Sequence, residues 1–149
     1  MIDLARILRS RAPAAAILIR TAVGAVFLSE GIQKFILPGE LGAGRFANIG
    51  IPWPDVAAPF VGVFEIACGA LVLVGLLTRL AAIPLIAVMV VAIASTKVPI
   101  FLEHGFWKMA HEARTDFAMF LGALFLLIAG AGPCSVDAQL GRDRRGVGS

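Results

Sequence analysis

The sequence predicts an all-α polytopic membrane protein. It would be a bundle of four transmembrane helices in a single membrane domain, residues 1–149, with both termini on the same side of the bilayer. Three observations predict it. Hydrophobic residues make up 59% of the chain and charged residues only 15%, whereas a soluble domain carries about 25% charge to wet its surface. Mean hydropathy is +0.91. The apolar residues gather in four runs, and arginines cluster at the chain ends beside them. These figures exclude an ordinary soluble domain, a disordered chain and a coiled coil. Two isolated cysteines exclude a disulfide scaffold. The net charge of +3 is explained by membrane orientation rather than by nucleic acid, so no nucleic-acid partner is expected.

A spanning helix needs about 20 mostly apolar residues. The first span is expected over about 12–36. Arg6, Arg9 and Arg11 precede it like the basic region of a signal peptide, but the apolar stretch is long, Arg20 interrupts it and no small-residue cleavage site follows, so an uncleaved span is expected. The long outer loop 37–55 is rich in Gly and Pro. Within it, Ala43 to Ile49 reads as a short interfacial helix, with Phe46 and Ile49 dipping into lipid and Arg45 outward. The second span is expected over 56–77 and the third over 80–100. The tight link at Thr78-Arg79 makes these two antiparallel neighbours. An aromatic and titratable outer loop, 101–116, leads to a short fourth span, 117–132, and a flexible tail, 138–149. Seven basic residues fall on the side of the termini and five on the opposite side. The positive-inside rule then places both termini in the cytoplasm, in a bacterial inner membrane.

Ionisable residues inside a span cost about 2.5–3.5 kcal/mol each on insertion scales, so they need a partner, a cavity or an interface. Glu30, Lys34, Glu65, Lys97 and Asp116 all fall in the outer half of the predicted bundle. Glu30 and Lys34 are spaced for a helical ion pair, and Gly31 between them would let a neighbouring helix approach closely. Glu65 lies roughly 13 Å below the outer end of its span and has no local partner. It must find Lys34, Lys97 or another group across the bundle, or stay protonated. It is the candidate ligand anchor and proton carrier, and Phe27, Phe35, Phe60 and Phe64 are the candidate apolar wall of the same site. At the inner face Arg20, Arg79 and Asp137 form a candidate structural clasp. The outer residues His104, Trp107, His111 and Arg114 form a candidate docking surface.

Other chemistries lack their residues. His104 and His111 are seven apart with no H-E-x-x-H, so no metal is expected. Cys68 and Cys134 belong to no C-x-x-C and read as small apolar residues rather than as a thiol relay. The glycine-rich stretches carry no phosphate-binding motif. No haem ligand pair or iron–sulfur set is apparent, so no intrinsic cofactor is expected. A weak internal echo, Gly69-Ala70-Leu71 against Gly122-Ala123-Leu124, is compatible with two related hairpins.

Arg20, Gly24, Phe27 and Gly31-Ile32-Gln33-Lys34-Phe35 resemble the first span of the DoxX family. Gly62-Val63-Phe64-Glu65, Gly69 and Leu76-Leu77-Thr78-Arg79 with Ala81-Ala82 resemble its second and third. Asp116, Gly122 and the run from Gly130 to Asp137 resemble its close, so the likeness covers about residues 17–137. Glu30 departs from the pattern, since many members carry another polar residue there, often His. The resemblance implies a four-helix inner-membrane protein associated with redox or oxidative-stress systems. Three functions are compatible with it. The first is a protein that binds a quinone or other lipophilic small molecule in the outer half of the bundle, as a subunit of a membrane oxidoreductase system with a membrane or periplasmic redox partner. The second is a non-enzymatic chaperone or assembly subunit. The third is a small permease, which would need a homo-oligomer. Whether the chain is itself an enzyme stays open.

Overall fold

The computed structural model describes residues 12–146, with side chains as far as Gly141. Residues 1–11, including Arg6, Arg9 and Arg11, and residues 147–149 lie outside it. The described chain is helical, with no strand. Its elements are α1 (Ala16–Ile36), α2 (Ala43–Asn48), α3 (Pro54–Val74), α4 (Thr78–Ala129) and α5 (Val136–Gly146). Three of them, α1, α3 and α4, are long and apolar enough to cross a membrane.

α4 is one element of 52 residues but not one rod. Gly105 interrupts it with φ 79° and ψ 179°, a conformation that a residue without Cβ adopts freely. Lys97 and Asp116 would be about 28 Å apart along a straight helix at 1.5 Å per residue, yet their side chains meet at 3.0 Å. Arg79 reaches the carbonyl of Ile128 at 2.9 Å. The chain therefore folds back at Gly105 into two antiparallel arms, 78–104 and 106–129. The expected outer connection 101–116 is helical apart from this break. Its spaced charges, Glu103, Lys108 and Glu112, suit an exposed helix as well as a loop, and Lys108 pairs with Glu112 one turn on at 3.3 Å. The flexible tail expected from residue 138 is likewise helical as far as Gly146.

α1 and α3 lie antiparallel in close contact. Gly24 faces the carbonyl of Gly69, and Gly31 faces that of Gly62. A Cβ on Gly31 would come within 2.7 Å of the Gly62 carbonyl oxygen, and one on Gly69 within 2.7 Å of the Leu28 nitrogen. In lipid there is no hydrophobic drive between helices, so such small-residue contacts supply the packing. The heptad spacing of both glycine pairs keeps them on one face over two turns.

The core sits towards one end. Val23, Phe27, Cys68, Val72, Ala81, Ala82, Leu85, Ala123 and Leu126 form one buried cluster drawn from α1, α3 and both arms of α4. All but Phe27, which sits at mid-span and reaches the other half, lie in the half of the bundle that holds the α3–α4 turn. We call this the closed end, and the end that holds α2 and the Gly105 fold-back the open end.

Candidate functional site

At the closed end, side chains bind backbone. Arg20 is buried and donates to the carbonyl of Ala131 at 3.0 Å and to that of Cys134 at 2.8 Å. Asp137 is buried too, and its two carboxylate oxygens accept the N–H groups of Leu77 at 2.7 Å and Thr78 at 3.0 Å. Those N–H groups open α4 and have no partner within the helix. Leu77 itself sits at φ 49° and supplies no side-chain cap, so a residue sixty positions away does so. The Asp137 N–H in turn donates to the Gly75 carbonyl at 2.9 Å. The φ of 72° at Gly75 and the Arg20 guanidinium, 2.7 Å from where a Cβ would lie, leave room for glycine alone. The three clasp residues expected from sequence thus meet at one end, each through backbone groups.

At the open end the helices part around a cavity of about 400 Å³. α1 contributes Val26, Phe27, Glu30 and Lys34. α2 and its flanks contribute Leu41, Arg45, Phe46, Ile49 and Ile51, and α3 contributes Ala57, Val61 and Glu65. The two arms of α4 close it with Met89, Ala92, Ser95 and Thr96 on one side and Thr115, Asp116 and Met119 on the other. The wall is mostly apolar, with few polar groups, as small-molecule sites usually are.

Two ion pairs border this cavity. Lys34 Nζ meets Glu65 Oε2 at 2.6 Å, with side chains only 9% and 3% exposed. Lys97 meets Asp116 at 3.0 Å in a more open setting. The geometry follows from helix direction. Side chains lean towards the N-terminus of their helix, so in antiparallel α1 and α3 Lys34 leans inward and Glu65 leans back towards it. The same relation holds between the arms of α4. The helical pair expected between Glu30 and Lys34 is not formed: Lys34 gives Glu30 only a long contact to its backbone carbonyl, at 3.4 Å. Glu65 is buried and Glu30 exposed, so the ammonium gains more from the deeper carboxylate.

Of the ligand-site residues expected from sequence, the fold brings Phe27, Glu30, Lys34, Glu65 and Asp116 to the cavity wall, and Lys97 joins through Asp116. Phe35, Phe60 and Phe64 do not line it. Phe35 lies over Gly62 on the outside of the helix pair. Phe60 is 62% exposed and its ring stacks with that of Phe64, centroids 4.9 Å apart. All three are exposed. Sequence reasoning placed α2 within a residue of its observed bounds but misread which way it faces. Phe46, expected to dip into lipid, is buried, while Arg45, exposed as expected, sits at the cavity rim. The available signal was glycine: a Cβ on Gly44 would overlap the backbone of Gly39, and one on Gly42 that of Pro38. The loop is thereby folded tightly back over the helix ends.

The expected docking residues flank the fold-back. His104, Trp107, His111 and Arg114 are exposed, and none lines the cavity. Trp107 packs edge-on against Phe106. Lys108 hydrogen-bonds Glu112 and, by that bond first and its charge second, holds the Glu112 carboxyl below its usual range. Cys68 is buried and Cys134 exposed, both as free thiols. Among the described residues no three His, Cys, Asp or Glu side chains gather to hold a metal.

Known proteins bear on this architecture. The DoxX family model matches residues 15–98, which is α1 through most of the first arm of α4. An uncharacterized membrane protein of Mycobacterium tuberculosis (strain ATCC 25618 / H37Rv) is 51% identical over 150 residues, covering 97% of this chain and 92% of its own length. No solved structure matches. The family match spans Arg20, both glycine pairs, Lys34 and Glu65 in register with the fold, and this membrane protein belongs to the DoxX family.

Proposed function

We propose that this chain is a four-span inner-membrane protein with cytoplasmic termini. In this reading it binds a quinone or a similar lipophilic small molecule in the open-end cavity and serves a membrane redox system as a subunit. The carrying observation is the cavity itself, an apolar space of about 400 Å³ with the Lys34–Glu65 pair in its wall. Its volume lies in the usual range for ligand sites, about 300–1,000 Å³. An intramembrane acid is a functional-site candidate by default. The antiparallel arms of α4 support four crossings, and the excess of arginine on the side of the termini supports their cytoplasmic placement.

Reduction of a bound quinone takes two electrons and two protons. In this reading a partner protein or external reductant supplies both electrons and water supplies both protons; Glu65, protonated on leaving its pair with Lys34, relays them one at a time to the two carbonyl oxygens and returns to Lys34 as the carboxylate. Titration of the detergent-solubilised protein with decylubiquinone tests the reading. Glu65→Gln should weaken binding about tenfold or more while helix content is kept. Unchanged binding would remove Glu65 from the site.

A second reading, a non-enzymatic assembly subunit, rests on one observation. Phe101, Leu102, Phe106 and Trp107 are exposed together beside the fold-back, at the aromatic belt position where a client or a headgroup layer would meet the protein. Mass spectrometry of everything retained through gentle detergent purification separates the two. A stoichiometric protein without a small molecule would favour assembly, and a stoichiometric quinone without a partner would favour ligand binding.

A further inference from the structure

The first arm of α4 offers acceptors to the cavity and keeps its hydroxyl protons. Ser95 spends its hydroxyl proton on the carbonyls of its own helix, at 2.8 Å to Val91 and 3.3 Å to Ala92. Thr96 does the same towards Ala92 at 2.7 Å. A hydroxyl has one proton and two lone pairs, so both residues present lone pairs to the cavity. Pro99 lies one turn further on in the same helix. It has no N–H, and it leaves the Ser95 carbonyl without the donor that position would normally supply. Across the arms, Asp116 accepts only; Lys97 engages its Oδ2, and the other oxygen remains. The nearest buried donor, Lys34, lies on α1 and directs two of its three protons to Glu65 and to the Glu30 carbonyl. Arg45 sits at the rim and is exposed. A ligand head that settles against Ser95 and Thr96 must therefore bring its own proton.

We infer that the cavity selects a hydroxyl-donating aromatic head, a phenol or the reduced quinol form, over the carbonyl-bearing oxidised form. The inference rests on the ligand-binding reading above and adds the sign of its preference. A quinone carbonyl against this wall sets lone pair against lone pair, whereas a hydroxyl completes a bond to Ser95, Thr96 or Asp116. Selective binding of the reduced form also raises the potential of the bound couple, by about 30 mV for each tenfold in preference.

Two probes isolate the proton without redox chemistry: para-nonylphenol and its methyl ether, para-nonylanisole. Each is titrated calorimetrically into the full chain in detergent, beside decylubiquinone. One or two hydrogen bonds predict that the phenol binds about tenfold more tightly than the ether. The double variant Ser95→Ala/Thr96→Val should shrink that ratio to about twofold or less, with helix content checked by circular dichroism. Should the variant not fold, the ratio measured on the unmodified chain still decides. Equal affinities, a tighter ether, or a phenol that fails to bind while decylubiquinone binds would each overturn the selection and leave the cavity reading standing. Failure of all three probes to bind would overturn both.

Discussion

The two ends of this bundle are held by different chemistry. At the closed end charged side chains bind backbone: Arg20 donates to two carbonyls and Asp137 accepts two N–H groups. At the open end charged side chains bind each other, Lys34 with Glu65 and Lys97 with Asp116. A side chain bonded to backbone satisfies a helix end that cannot move without losing its cap. An ion pair between two helices can exchange one partner for a ligand. The first arrangement fixes the register of the helices, and the second leaves a space between them that chemistry can enter. Most of the buried cluster lies with the first and the cavity with the second, with Phe27 shared between them.

This contrast can be broken or sharpened. The largest effect is expected from Lys34→Met, which strands a buried carboxylate and should cost about 3–5 kcal/mol. It would be read as thermal stability in detergent. Pairing it with Glu65→Leu should recover most of the loss, because two well-packed apolar groups replace an ion pair at little cost. Asp137→Ala should follow at about 2–3 kcal/mol, since two N–H groups lose a charged acceptor. Asp137→Asn keeps one acceptor oxygen and should fall between. Gly69→Ala is expected to cost about 1–3 kcal/mol by overpacking the α1–α3 contact. If Gly69→Ala proved neutral, the close helix approach would not be what holds that pair together. Lys97→Met should cost about 1 kcal/mol or less, because that pair is partly solvated.

The smallest effect concerns Glu112. Lys108 lowers its carboxyl in the folded protein, so any stabilisation is present above the ordinary carboxylate range and is lost as pH falls through the lowered value. The group is fully exposed, and Glu112→Gln should leave the dependence of melting temperature on pH unchanged.

Much of this was legible in the sequence, and the exceptions share a cause. The helix positions follow from run length and composition. The isolation of Glu65 left it either a partner across the bundle or a proton, and the fold brings Lys34 to it at 2.6 Å. The arginine and aspartate of the clasp were legible as charges at the ends of apolar runs. What could not be read was facing. In a soluble helix the polar face marks the outside, but in lipid both faces are apolar. Phe27, which is buried, and Phe60, which is 62% exposed, therefore look alike in sequence. The pairing of Lys34 was misread for a related reason. Helical spacing favours Glu30, and only the depth of Glu65 beside α1 reverses the choice. The packing of α2 over the cavity depends on contacts among Pro38, Gly39, Gly42 and Gly44, which no periodicity records.

The cap that Asp137 supplies to α4 has a consequence for how the protein is made. A ribosome delivers residues 77 and 78 well before residue 137. The N-terminus of the longest helix must wait, its N–H groups unsatisfied, while both arms are synthesised and folded back. Only then does the carboxylate arrive to close it. Completion of the second hairpin is thus tied to emergence of the last described helix. A nascent chain stalled or cut between Ala129 and Asp137 would hold every apolar run of the bundle and still lack its latch.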